Sequence, residues 1–108
     1  MMQRGELVRV ALQGDYGKPR PALIVQADMY SNLPSVTVLP LTSDLRELPG
    51  IRVVVAPDAS NGLRLPSQIM VDKAVTVVRE KIGPTIGYLS GPDMGTVNRA
   101  LAAFLGFI

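Results

Sequence analysis

The chain has 108 residues, 47% of them hydrophobic and 19% charged, which fits one globular domain spanning 1–108 rather than a disordered segment. Cysteine and histidine are both absent. That excludes a disulfide framework, a thiolate zinc site, a cysteine nucleophile, a Ser-His-Asp triad and two-histidine ribonuclease chemistry. The net charge is +2 and the pI about 9.3, a mild basicity that permits RNA or an acidic protein as partner without demanding either.

The opening MMQRGE has no apolar stretch, and the longest apolar runs, 22–25 and 100–108, fall short of the roughly 20 residues a membrane span needs. The expectation is a cytoplasmic protein with no membrane segment. Residues 6–12 (ELVRVAL) set Leu7, Val8, Val10 and Leu12 against Glu6 and Arg9, the alternation of a half-buried strand. Residues 13–19 (QGDYGKP) are turn chemistry, long enough for a mobile loop. Residues 22–26 are a continuous apolar strand, expected to be central. After a loop at 28–34 comes 35–41 (SVTVLPL), an alternating β-branched strand that Pro40 places near an edge or a bulge. A polar connection over 42–50 leads to a strand at 51–55, and a turn-rich one over 56–66 leads to short strands at 67–71 and 74–78. Residues 81–89 (KIGPTIGYL) read as a turn followed by a short strand.

One helix is predicted. Ser90 is its N-cap, with Pro92 and Asp93 in the first turn. Met94, Val97, Leu101 and Phe104/Leu105 then form an apolar face, and Gly106 can end it. The fold expected is mainly β: a bent SH3-like barrel of five to seven strands with a C-terminal α-helix.

Four ordered segments resemble the MazF/PemK toxin family. They are Arg4-Gly5-Glu6-Leu7-Val8; Gly17-Lys18-Pro19-Arg20-Pro21-Ala22-Leu23-Ile24-Val25-Gln26; Val38-Leu39-Pro40-Leu41-Thr42-Ser43; and Ser67-Gln68-Ile69 with Val71-Asp72-Lys73, Lys81-Ile82-Gly83 and Gly87-Tyr88-Leu89-Ser90. They run through the whole chain at family-like spacing. The resemblance implies the toxin of a type II toxin–antitoxin pair. Such a toxin is a metal-independent, sequence-specific endoribonuclease that cuts single-stranded RNA by 2′-hydroxyl attack, needs no cofactor, and inhibits translation and growth.

Arg20 and Thr42 match the family's catalytic Arg and Thr. Arginine suits a phosphorane-like transition state because its planar fork contacts two phosphate oxygens and stays charged; a neighbouring hydroxyl adds a donor to a non-bridging oxygen. Without the resemblance, Arg20 reads as a surface cation and Thr42 as a turn residue. Asp15 is the candidate general base. Tyr16 could stack on a base, as could Tyr30. Lys18, Pro19, Ser43, Gln68 and Asp72 are the other expected RNA contacts, with Arg46, Arg64 and Arg79 as further phosphate partners. The chain departs from the family at Met70, which stands where relatives carry an Arg, and this puts rate and target sequence in question.

The resemblance also implies a homodimer and a MazE-like antitoxin whose C-terminal tail covers the RNA groove. Two other readings compete: a DNA gyrase poison like the CcdB toxins, echoed in Phe104-Leu105-Gly106-Phe107-Ile108, and a catalytically dead SH3-like binding module, for which Met70 is the main support.

Overall fold

The computed structural model describes residues 2–12 and 18–108. Seven strands and one helix follow in the order β1 (Glu6–Ala11), β2 (Pro19–Ile24), β3 (Ser35–Thr42), β4 (Arg52–Val55), β5 (Ser67–Met70), β6 (Val75–Val78), β7 (Ile82–Tyr88) and α1 (Gly91–Phe104), with short 3-10 turns at Asp28–Tyr30, Val71–Lys73 and Arg79–Lys81. The hydrogen-bonded path is β4-β5-β3-β2-β1-β7, and β6 attaches to β3. All the pairings are antiparallel. The expected mainly β architecture closed by a C-terminal helix is what forms, and the sheet is bent and open at β4 and β7.

The prolines explain where strands change partner. Val25 N donates to Thr37 O at 3.2 Å, and strand alternation points the backbone nitrogens of Pro19 and Pro21 to that same, β3 side. There β2 pairs with β3 only from Ala22 onward, so neither missing N–H removes a ladder bond. The strand therefore begins at Pro19, three residues before the predicted start. In β3 the same alternation turns Pro40 to the opposite side. That side is occupied by β6 along Ser35–Val38 and by β5 along Leu41–Thr42, so Pro40 falls in the gap between them.

The bent sheet buries two clusters. One gathers Leu7, Leu23, Leu39, Leu41, Val53, Ile69, Val71 and Val97, with Met94, Ala100 and Leu101 of α1 packed against it. The other gathers Val8, Val10, Ala22, Ile24, Val36 and Val38 on the opposite face, under Val75, Val77 and Ile82. Each fully buried Val or Leu contributes about 1.5–3 kcal/mol.

Helix α1 starts as predicted: Ser90 Oγ accepts from Asp93 N at 3.2 Å. Its apolar face packs on the core as far as Leu101, whereas Phe104 and Leu105 are 48% and 53% exposed. Arg4 ties helix to sheet, donating from Nε to Val25 O at 2.8 Å and from a terminal nitrogen to Asn98 Oδ1 at 2.7 Å.

Two further sequence expectations change. Residues 82–88 form a full strand against β1 rather than a turn with a short strand. Its Gly87 is a close-approach position: a Cβ there would lie 2.4 Å from backbone atoms of Ser60 and Asn61. Glu6, which the alternation turns outward, is buried and accepts from Thr85 Oγ1 at 2.7 Å and from the backbone N–H of Gln3.

Candidate nucleic-acid cleft

Arg20 is fixed by register. Its partner on β1 is Val10, a core residue, and β2 pairs with β3 as Ile24↔Val38, Leu23↔Leu39 and Ala22↔Pro40. Carrying that register two residues outward brings Arg20 across from Thr42, whose partner on β5 is Gln68. Side chains opposite one another on neighbouring strands share a face, so residues 22 apart in sequence meet at the splayed ends of β2 and β3.

Arg20, Thr42 and Ser43 line one cleft of about 210 Å³, together with Arg9, Arg64 and Ser67 over a floor that includes Leu41 and Ile86. Arg20 also lines a larger groove of about 590 Å³, walled mainly by Leu12, Pro40, Met70, Val75 and Val77, with Lys73 and Lys81 at its margin. No carboxylate lines either hollow among the described residues. The two differ in chemistry: the smaller is cationic and hydroxyl-rich, the larger apolar with a cationic edge.

Thr42 Oγ1 accepts from Asp44 N at 3.1 Å. That bond uses a lone pair and orients the hydroxyl, leaving its hydrogen to donate toward a ligand. Ser43 is exposed beside it. The following segment is held by Gln68, which is 4% exposed and exchanges two bonds with the backbone of Arg46. The Arg46 guanidinium pairs with Asp44 at 3.0 Å.

The opposite wall is the connection between β4 and β5. Buried Asn61 holds it together: its Oδ1 accepts from Asp58 N at 3.1 Å and Leu63 N at 3.0 Å, and its Nδ2 donates to Ala56 O at 2.9 Å. Asp58 Oδ1 accepts from Ser60 N and Asn61 N, and Ser60 O receives Tyr88 N from β7. Gly62 follows with φ +68°, so close to Ile86 that a Cβ would sit 1.9 Å from its carbonyl oxygen. This knot buries Leu63 and delivers Arg64 to the cleft.

The remaining expected residues fall elsewhere. Lys18 and Pro19 are exposed at the start of β2. The amide of Gln68 is occupied by Arg46. Asp72 accepts from Arg52 Nε at 3.0 Å, with side chains 17% and 9% exposed, and lines neither hollow; the Arg52 hydrogen bond holds its carboxyl below the usual carboxylate range. Arg79 spends its guanidinium on the carbonyls of Ser31 and Leu33. Asp15 and Tyr16 lie outside the described residues. Arg9 and Ser67 are polar cleft residues outside the expected set; Arg9 adds a charge. By alternation it is a polar position that faces water, and its pairing with Pro21, next to Arg20, is the feature that signals its place.

Residues 3–105 match the family described as PemK-like, MazF-like toxin of type II toxin-antitoxin system. The chain belongs to this family. It is 41% identical over 106 residues to the "Probable endoribonuclease MazF" of Mycolicibacterium smegmatis, covering 97% of each protein. It is 36% identical over 90 residues to "Endoribonuclease MazF3" of Mycobacterium tuberculosis, covering 82% of this chain and 81% of that one. A solved mycobacterial endoribonuclease in complex with its cognate antitoxin has a TM-score of 0.83 at 26% identity, covering 100% of this chain and 98% of that one. The bent sheet with its C-terminal helix is thus the fold of MazF toxins. No helix among the described residues is long and apolar enough to cross a membrane.

Proposed function

We propose that this chain is the toxin of a type II toxin–antitoxin pair and a metal-independent endoribonuclease that cuts single-stranded RNA. The observation that carries the reading is the meeting of Arg20 and Thr42 in one cationic cleft, whose lining among the described residues holds no carboxylate. Such a cleft suits a phosphodiester, because guanidinium and hydroxyl donors are arranged around the place where charge develops on phosphorus.

In the proposed reaction the ribose 2′-hydroxyl gives its proton to a base, for which Asp15 is the candidate, and its oxygen bonds to phosphorus. Arg20 contacts the non-bridging oxygens and Thr42 donates to one of them. The bond from phosphorus to the 5′-oxygen breaks, the leaving oxygen takes a proton, and the products are a 2′,3′-cyclic phosphate and a 5′-hydroxyl. Unpaired RNA is the substrate because its bases can splay out of a strand. The apolar groove beside Arg20 suits one such base, Lys18, Pro19 and Ser43 are the proposed contacts along the strand, and Tyr16 is the residue proposed to stack on a base. Gln68 contributes by holding the segment after Ser43 through the Arg46 backbone, and Asp72, in the turn that ends at Lys73, by pairing with Arg52. Cutting messenger RNA in this way inhibits translation and growth.

The partners proposed are a second copy of the chain in a homodimer and a MazE-like antitoxin, whose tail covers the groove. The likeness to a structure solved with its cognate antitoxin supports the antitoxin.

The test is incubation of purified, antitoxin-free protein with a long single-stranded RNA in EDTA, beside Arg20→Ala. Cuts at a short recurring sequence with cyclic phosphate ends, absent in the variant, are expected. Intact RNA across diverse sequences would overturn the reading. It would favour gyrase binding through the exposed Phe107 and Ile108 (76% and 83% exposed) or a non-catalytic binding module.

A further inference from the structure

We infer that Arg9 and Arg64 form a second anion subsite in the cleft, which holds a phosphate flanking the scissile one in a single-stranded RNA; this rests on the ribonuclease reading above.

Arg9, Arg20 and Arg64 all line a cleft of about 210 Å³. Together they make its lining positive. No carboxylate in the lining offsets it among the described residues. The chain has eight arginines, and their partners separate them. Arg4, Arg46, Arg52, Arg79 and Arg99 all donate to oxygens of the protein, and Arg20 also has a partner. Of the eight arginines, all within the described residues, only Arg9 and Arg64 make no side-chain hydrogen bond or ion pair. The two arginines without protein acceptors are therefore the two that join Arg20 in the cleft.

Their supports are rigid and independent. Arg9 sits between core residues Val8 and Val10 in β1, and Arg64 stands two residues beyond the Gly62 crossing, behind the Asn61 knot. The backbones that carry the two arginines are fixed, so binding orders only the side chains, and each offers the fork that matches phosphate oxygens. Arg20 and Thr42 occupy the ends of β2 and β3, whereas Arg9 reaches the same hollow from β1 and Arg64 from the connection between β4 and β5.

The test uses an oligonucleotide that carries the mapped cut sequence, with 2′-deoxyribose at the cleaved nucleotide so that it binds without reacting. A second set replaces each flanking phosphate in turn by an uncharged methylphosphonate. Wild type should lose about tenfold in affinity when one particular flanking phosphate is neutralised, as expected for a charge-assisted contact. Arg9→Gln and Arg64→Gln should bind the fully charged strand about tenfold more weakly, lose nothing further on that neutralisation, and show a log affinity against log salt slope shallower by about 0.7. Arg99→Gln should match wild type. The subsite is refuted if the variants bind the charged strand as tightly as wild type, or lose as much as wild type on every neutralisation. If Arg20-dependent cutting persists in that case, only the subsite falls. If wild type neither cuts nor binds RNA, the ribonuclease reading falls with it.

Discussion

Gln68 holds the backbone of Arg46 at both ends of its amide: Nε2 donates to Arg46 O at 2.7 Å and Oε1 accepts from Arg46 N at 3.0 Å. Because Gln68 is also the β5 partner of Thr42, this clasp fixes the chain leaving the cleft just after Ser43. Gln68→Leu removes both bonds while keeping the buried volume. It should cost about 1–2 kcal/mol, seen as a fall of several degrees in Tm, and lower the turnover number more than it raises KM. An unchanged Tm with lowered activity would instead place the amide on RNA.

Thr42→Val keeps the shape of the side chain and deletes its hydroxyl. Losing one positioned donor to a developing oxyanion costs about 10²–10³ in turnover, so cutting should drop by that order while RNA affinity changes little. Thr42→Ser should recover most of the rate. Single-turnover cleavage of a labelled oligonucleotide checks both variants.

The Arg52–Asp72 pair sets an acid limit on stability. The arginine hydrogen bond lowers the Asp72 pKa in the folded chain, so the folded state binds that proton less readily than the unfolded one. The stabilisation is fully present above the unfolded carboxylate value of about 4 and is lost as pH falls through the lower, folded value. Asp72→Asn should therefore destabilise at neutral pH by less than the about 3–5 kcal/mol of a fully buried pair, and flatten the acid side of the stability profile. Urea titrations from pH 3 to 7 measure this. RNA affinity that survives at neutral pH in the folded variant would mark Asp72 as a structural partner of Arg52.

Gly62→Ala tests the crossing over β7. The new Cβ would meet Ile86 O at 1.9 Å in a backbone with φ +68°. The loop must lift, and the destabilisation should reach at least about 2–3 kcal/mol, read as a lower urea midpoint. If the protein remains folded, RNA binding should fall with it, because Arg64 loses its seat.

Much of this architecture was legible beforehand. Alternation located β1 and β3 because each has buried valines and leucines at regular spacing, and Ser90 announced the helix through its capping chemistry. Strand β7 escaped because Gly83, Pro84 and Gly87 are turn formers by local preference. Gly87 is present for room against the 56–66 connection, which is a tertiary fact. The Arg20–Thr42 pairing came from family resemblance, since neither residue is unusual by itself. Arg9 escaped because polar positions of an alternating strand ordinarily face water, and the wall that encloses it comes from residues more than fifty positions away. The exposure of Phe104 and Leu105 escaped for a related reason: helical periodicity tells which face is apolar and not where the sheet beneath it stops.

Pro40 has a consequence for how this chain avoids folding wrongly. Strands β5 and β6 are both short and both pair along the same side of β3, so a slide of either by two residues would preserve inside and outside and incur little penalty from side chains. Such a slide would carry the intruding strand across position 40, where its carbonyl would find no hydrogen to accept. A single absent proton thus works as a stop between two neighbouring berths, and it keeps Thr42 at the mouth of the cleft by denying the alternatives.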